Sequence, residues 1–192
     1  VKPETFAKAS DLIEKRYSLK TVTFTKTKDI IPYVDKMFDL FNTSYAKLAS
    51  FVAVSDRQKE YFKKKYIPFI NPEYILFILD KNDKMVAFSI VMPGFSEALQ
   101  KANGHLFPFG FYHLLKAKKH SKEVLFYLIG IEQEYQNKGL TAIIFREYYT
   151  VFKQKGIEIC NRTPELEENN AIHNLWKNFN SHIDRKRRTY RK

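Results

Sequence analysis

Cysteine is almost absent. Cys160 stands alone in 192 residues, so no internal disulfide can form, and a reducing, cytoplasmic setting is expected. It lies in the strand-like run Gly156–Cys160, where a buried, inert thiol is expected. Glycine is scarce too, at 6 residues, and neither G-x-x-x-x-G-K-[ST] nor G-x-G-x-x-G occurs. That excludes a Walker phosphate loop and a Rossmann fingerprint. No apolar run approaches the roughly 20 residues a membrane-spanning helix needs, so no membrane partner is expected. The opening residues mix charge and polarity, unlike a secretory signal. The 5 histidines lack metal-ligand spacing, and no metal site is expected. Acidic residues are also in deficit, 21 against 33 lysines and arginines, for a net charge of +12.

What is present is globular. The chain is 44% hydrophobic and 28% charged, and 192 residues suffice for one full core, so a single domain over 1–192 is expected. Val1 at the start leaves a fragment of a longer protein open. The positive excess concentrates in Lys116–Lys122 and in the tail Asp184–Lys192. It admits three readings: an electropositive mouth for a polyanionic cofactor, a nucleic-acid surface, or a solvated basic surface with no dedicated ligand.

Periodicity sets out the elements. A helical lead-in over 1–19 precedes a β-branched alternating strand, Lys20–Lys26. Asp29 is placed to cap a helix with Pro32 in its first turn. Ile31, Val34, Phe38, Phe41, Tyr45 and Leu48 give that helix one apolar stripe. Ser55 and Gln58 read as a capping box for the next. Strands Tyr74–Asp80 and Met85–Met92 form a hairpin around Lys81–Lys84. A region over 93–122 follows, with helix-like pieces at Ser96–Asn103 and Phe109–Lys118. The aromatic and histidine side chains of Phe107–His113, with His105, either wall an acceptor pocket or act as a lid, or Phe107, Phe109, Phe111 and Leu114 pack the inserted helix onto the sheet.

The most informative stretch comes next. The apolar strand Leu125–Ile131 runs through Gly130 into the polar turn Gln136–Gly139, and an amphipathic helix bearing Leu140, Ile144, Tyr148, Val151 and Phe152 starts directly after it. A strand feeding a glycine-bearing turn at a helix N-terminus is an anion site, since unpaired N–H groups and the positive dipole end converge there. Lys138 adds charge. Gly156 ends the helix, Ile157–Cys160 is a further strand, and Glu168–Phe179 a last helix before the basic tail. The alternation implies α/β architecture, a mixed sheet with helices on both faces.

The segment Ile131-Glu-Gln-Glu-Tyr-Gln-Asn-Lys-Gly-Leu-Thr-Ala142 resembles the V-x-P-x-x-Q/R-x-x-G-x-G/A pyrophosphate loop of the GCN5-related N-acetyltransferases, with Gln133 for the Pro and Thr141 for the second Gly. Glu168–Phe179 is similar to that family's N-x-x-A-x-x-L-Y segment, and the element order also matches from Thr21 onward. The resemblance implies the family's fold, here with a helical insertion between the third and fourth strands. It also implies acetyl-CoA or another acyl-CoA as donor, and a small-molecule or peptide amine as acceptor. On it, Ile129, Gly130 and Ile131 would pair with pantetheine and polarise the thioester, Gly130 marking the bulge that splays the strands. Gln136, Asn137, Lys138, Gly139, Leu140 and Thr141 would hold the pyrophosphate, and Asn169 or Asn170 the pantetheine arm. Glu132 and Glu134 are the nearest candidate bases. Trp176 stands where many members carry a proton-donating Tyr, and an indole N–H is no acid near neutral pH. A non-catalytic acyl-CoA-binding module is therefore an alternative reading, and a basic nucleic-acid-binding protein a third. The abrupt basic end leaves room for a second subunit or a further domain.

Overall fold

A computed structural model of the protein describes residues 3–48, 51–105, 107, 109–167, 169, 173, 176, 179, 181–188 and 190. The chain divides into two compact units, Lys2–Thr163 and Pro164–Lys192.

The larger unit is built on a five-stranded mixed sheet in the order β1-β2-β3-β4-β5. The strands are β1 (Lys20–Thr23), β2 (Ile75–Leu79), β3 (Met85–Pro93), β4 (Glu123–Ile131) and β5 (Ile159–Arg162). The first four pair antiparallel, and β5 runs parallel to β4. The helices are α1 (Pro3–Tyr17), α2 (Val34–Tyr45), α3 (Asp56–Lys65), α4 (Ser96–Lys101), α5 (Gly110–His120) and α6 (Leu140–Lys155). The α/β mixed-sheet architecture read from the sequence is the observed one.

Every residue of β2 is buried, so both faces of the sheet are covered. On one face Val34, Met37 and Phe38 of α2 pack with Phe77, Phe88 and Ile90. Apolar residues at three- and four-residue steps put one stripe of α2 on the sheet. Helix α6 covers the other face, burying Ile143, Ile144 and Tyr148. The Tyr148 hydroxyl donates to the carbonyls of Tyr74 (3.1 Å) and Ser89 (3.0 Å). Helix α1 lies along α6, with Phe6 6.0 Å from Phe145 between ring centroids.

Local signals explain the boundaries. The capping box forms, the Ser55 N–H donating to Gln58 Oε1 at 2.9 Å. Asp29 caps nothing. The chain instead makes two 3-10 turns, Thr27–Asp29 and Ile31–Tyr33, and α2 starts only after the second, which holds Pro32. Strand β5 begins later than expected because the N–H groups of Glu158 and Ile159 both turn back to the Lys122 carbonyl. Cys160 is exposed, not buried: β5 is the last strand of the sheet and pairs on one side only.

The β4 bulge also departs from expectation. Ile90 pairs with Leu128 and Val91 with Phe126, so Tyr127 is the extra residue; Gly130 stays in register opposite Phe88. Glycine is needed at 130 for another reason. A Cβ there would lie 2.2 Å from Phe88 Cε1, because the Phe88 ring lies across the strand at that point. A small residue under a cross-strand aromatic leaves no room for a methyl group.

The β3–β4 connection holds α4 and α5, and the Gly94 N–H donates to the Glu123 carbonyl (2.7 Å) at its base. Phe107 and Phe109 do not pack onto the sheet, and the connection lies far along β4 from the turn Gln136–Gly139. Phe107 and Phe109 are 79% and 72% exposed. The connection joins the start of β4, and the turn follows its end, roughly 27 Å away at about 3.3 Å per residue.

Two stability outcomes follow. Gly130→Ala should lower the unfolding free energy by about 1–3 kcal/mol through overpacking against Phe88, and Phe88→Leu in the same chain should recover part of it. Denaturant titration of both single variants and the pair checks this; additive losses would exclude the contact. Ser89 Oγ is buried without a hydrogen-bond partner among the described residues. Ser89→Ala should therefore be neutral or stabilise by up to about 1 kcal/mol in thermal melts.

Candidate coenzyme-binding site

Ladder pairing between β4 and β5 ends at Phe126 and Arg162, extended by one bond from the Thr163 N–H to the Phe126 carbonyl (3.3 Å). Beyond the Tyr127 bulge, the side of β4 away from β3 has no strand partner among the described residues. Alternation assigns the exposed groups. The Glu132 N–H donates to the Val86 carbonyl (2.8 Å), so Gly130 and Leu128 face β3, and the backbones of Ile129 and Ile131 face the open edge. Among the described residues, Thr163 Oγ1 donates to the Tyr127 carbonyl (3.5 Å) where that edge begins, and two side chains reach farther along it. The Tyr45 hydroxyl donates to the Ile129 carbonyl at 3.0 Å, and Gln136 Nε2 donates to the Ile131 carbonyl at 3.3 Å.

The strand then passes through a 3-10 turn, Gln133–Tyr135, into the phosphate-type turn. Asn137 (φ 61°) and Gly139 (φ 83°) both take left-handed backbone, and α6 starts at Leu140. Asn tolerates this conformation, but a Cβ at 139 would in addition lie 2.8 Å from Ile13 Cδ1. Of the first-turn donors of α6, the Ala142 N–H returns to the Gly139 carbonyl (2.8 Å). Those of Leu140 and Thr141 belong to the set a helix cannot satisfy itself. No acidic side chain occupies that first turn, so the helix end keeps its positive character.

Lys138 does not extend into the space before the helix. Its ammonium lies near the rings of both Tyr17 (5.2 Å) and Tyr135 (4.9 Å), which meet edge to face, a cation–π contact that ties α1 to the turn. Farther along, Arg146 bonds Asp11 (3.0 Å) and grips both Glu14 oxygens (2.9 Å each). Thr21 adds a hydroxyl donor to Glu14 at 2.7 Å. Burial alone would raise the Glu14 carboxyl; the Arg146 guanidinium and the Thr21 hydroxyl outweigh it and hold it below its ordinary value.

The structure thus brings together Ile129, Gly130, Ile131, Gln136, Asn137, Lys138, Gly139, Leu140 and Thr141. Glu132 and Glu134 stand apart from the edge. Glu132 pairs with Lys84 at the β2–β3 hairpin (3.5 Å), and Glu134 is exposed in the 3-10 turn. Within the smaller unit, Trp176 donates its indole N–H to Glu165 (3.0 Å), and the Asn169 carbonyl accepts the His173 N–H (3.2 Å). Asn170 lies outside the described residues. No cluster of metal-ligating side chains occurs among the described residues. Tyr45, Ile13 and Tyr17 were not anticipated at this site. Tyr45 carried a signal, being the one residue of the α2 stripe whose apolar ring ends in a hydroxyl that must find a partner.

The site therefore consists of a parallel pair whose ladder ends at a bulge, next to a glycine turn that opens a helix. The chain has the fold of the GCN5-related N-acetyltransferases. An aminoglycoside acetyltransferase from an uncultured soil metagenomic sample, solved in complex with sisomicin, matches with a TM-score of 0.54. The match has 13% identity and covers 93% of this chain and 99% of that one. Aminoglycoside 6'-N-acetyltransferase AAC(6')-Ih from Acinetobacter baumannii matches at 0.53, with 11% identity, over 91% and 97%. AAC(6')-Iy in complex with CoA matches at 0.51, with 8% identity, over 91% and 93%. No protein-family model matches the sequence. Protein YghO of Escherichia coli (strain K12) is 23% identical over 160 residues, 80% of this chain; the match spans 41% of that protein.

The Glu14 clamp has a pH signature. Its contribution is fully present above the unfolded-state value of about 4.3 and is lost as pH falls through the lower folded value. The protection factors of the α1 amides, taken relative to the intrinsic exchange rate at each pH, should fall on acidification through that range. Arg146→Ala should lower them likewise at neutral pH; unchanged α1 protection in that variant would show that other contacts hold the helix.

Proposed function

We propose that the protein transfers an acyl group, most simply acetyl, from acyl-coenzyme A to a primary amine. One observation carries this reading: the stretch Ile129–Ile131 of β4, with no strand partner on its side away from β3 among the described residues, leads through a 3-10 turn to a left-handed turn at a helix N-terminus. Such an edge can pair with the amides of a pantetheine arm while the turn receives the pyrophosphate. In this reading the N–H groups of Gly139, Leu140 and Thr141 meet the phosphates, with Gln136, Asn137 and Lys138 shaping the turn. The edge N–H of Ile129 or Ile131 polarises the thioester carbonyl as it gains negative charge.

The amine nitrogen attacks that carbonyl carbon. The N–C bond forms, the C–S bond breaks, and the sulfur leaves with its electron pair. The proton lost by nitrogen balances the one gained by sulfur. A thiol of pKa about 8.5 is a good leaving group, so solvent suffices as its acid and Trp176, already donating to Glu165, need not serve. Removal of the amine proton falls to Glu132 or Glu134 through water. Alignment of two bound substrates supplies much of the remaining rate.

Calorimetric titration with acetyl-CoA tests the reading. One-to-one saturable binding is expected, weakened at least about tenfold in Gly139→Val, where a β-branched residue must adopt positive φ. Absence of binding by the wild type would overturn it. Binding with no thiol release from any amine would leave a coenzyme-binding module in place of an enzyme.

A further inference from the structure

Beside this edge of β4 stands an aromatic cluster to which the acyl-transfer reading has so far given no role. Helix α2 ends at Tyr45, whose hydroxyl touches the Ile129 carbonyl. The Tyr45 ring lies 4.6 Å from Phe41 and 6.2 Å from Phe51, and Phe41 and Phe51 are 5.5 Å apart. The three rings form one half-buried cluster. Phe51 belongs to the α2–α3 loop, and the far end of that loop is pinned. Asn42 donates to the Val54 carbonyl (3.0 Å) and accepts the Val54 N–H (2.8 Å). The rings are thus anchored at the place where the reacting carbonyl would sit.

Charge is absent from this wall in one sign. Residues 41–54 contain no aspartate or glutamate and one lysine, Lys47. The carboxylates of α2 are already neutralised, Asp35 by Lys63 (2.7 Å) and Asp39 by Lys59 (2.8 Å). Residues 125–131 of β4 carry no charge, and Glu132 beyond them is paired with Lys84. A polycationic acceptor would meet no uncompensated carboxylate on these segments, and a chain of net charge +12 repels it at long range.

Resting on the acyl-transfer reading, we infer that Phe41, Tyr45 and Phe51 form the acceptor wall, and that the acceptor is a primary amine carried on an uncharged, flat aromatic body. The rings supply offset or edge-to-face contacts. The Tyr45 hydroxyl, at the β4 edge, is a positioning group that can turn from the Ile129 carbonyl to the entering nitrogen.

The test pairs acetyl-CoA with 2-phenylethylamine, spermidine and sisomicin, following thiol release and product mass. The aromatic amine should give the highest kcat/KM. Phe51→Ala should raise its KM by about tenfold with little change in the KM for acetyl-CoA, and Phe51→Tyr should restore it. A preference for either polycation, or an unchanged aromatic KM in Phe51→Ala, overturns the inference. If acetyl-CoA does not bind at all, the transfer reading fails separately. The wall is then judged by direct NMR titration with 2-phenylethylamine: saturable binding that Phe51→Ala abolishes supports it, and none overturns it.

Discussion

Every main-chain N–H and C=O of a strand must find a partner, and strand β4 meets that demand in two different ways along its length. Up to Phe126 it is paired on both sides. Past the bulge at Tyr127 it keeps β3 alone, and its other edge is served by side chains, Tyr45 at Ile129 and Gln136 at Ile131. A side-chain hydrogen bond is easier to exchange than a ladder bond, because breaking it leaves the backbone fold in place. The edge is therefore closed against solvent yet open to a ligand that carries its own amides.

The surroundings keep that edge in position. Phe88 lies over Gly130 and holds the strand close to β3, so the ladder resumes its regular register beyond the Tyr127 bulge. On the far face, Tyr148 anchors α6 to two backbone carbonyls of the sheet. Helix α1 then braces the start of α6 through Ile13, the cation–π contact of Lys138 and the Arg146 clamp. The turn that would receive phosphate is held from three directions before any ligand arrives, which lowers the ordering cost of binding.

Much of this was legible in the residues. The α2 stripe, the capping box at Ser55, the β2–β3 hairpin and the Gly139 turn are all local patterns, and local patterns survive into the structure. The misreadings concern contacts between distant segments. Gly130 looked like a bulge because glycine inside a strand often is one; that its neighbour across the ladder would be Phe88 depends on register, which no single strand reveals. Cys160 looked buried because its strand is apolar, but position at the sheet edge is a property of strand order. Tyr45 looked like one more core residue, and only the parting of β4 and β5 gives its hydroxyl something to do. The aromatics of 107–111 were legible as unusual, but not as lying at the end of the sheet remote from the turn.

That remoteness makes β4 a spacer between two regions under separate constraint. At one end lies a turn in which each backbone angle matters. At the other, the hydrogen bond between Gly94 and Glu123 already closes the ladder, so whatever is threaded between those residues is an appendage to a finished hairpin. The stretch between them can lengthen, shorten or change partner over evolutionary time without touching the far end of β4, provided a residue at the place of Lys122 still offers its carbonyl to the start of β5. A designer could exchange that stretch as a cassette and give the same scaffold different addresses.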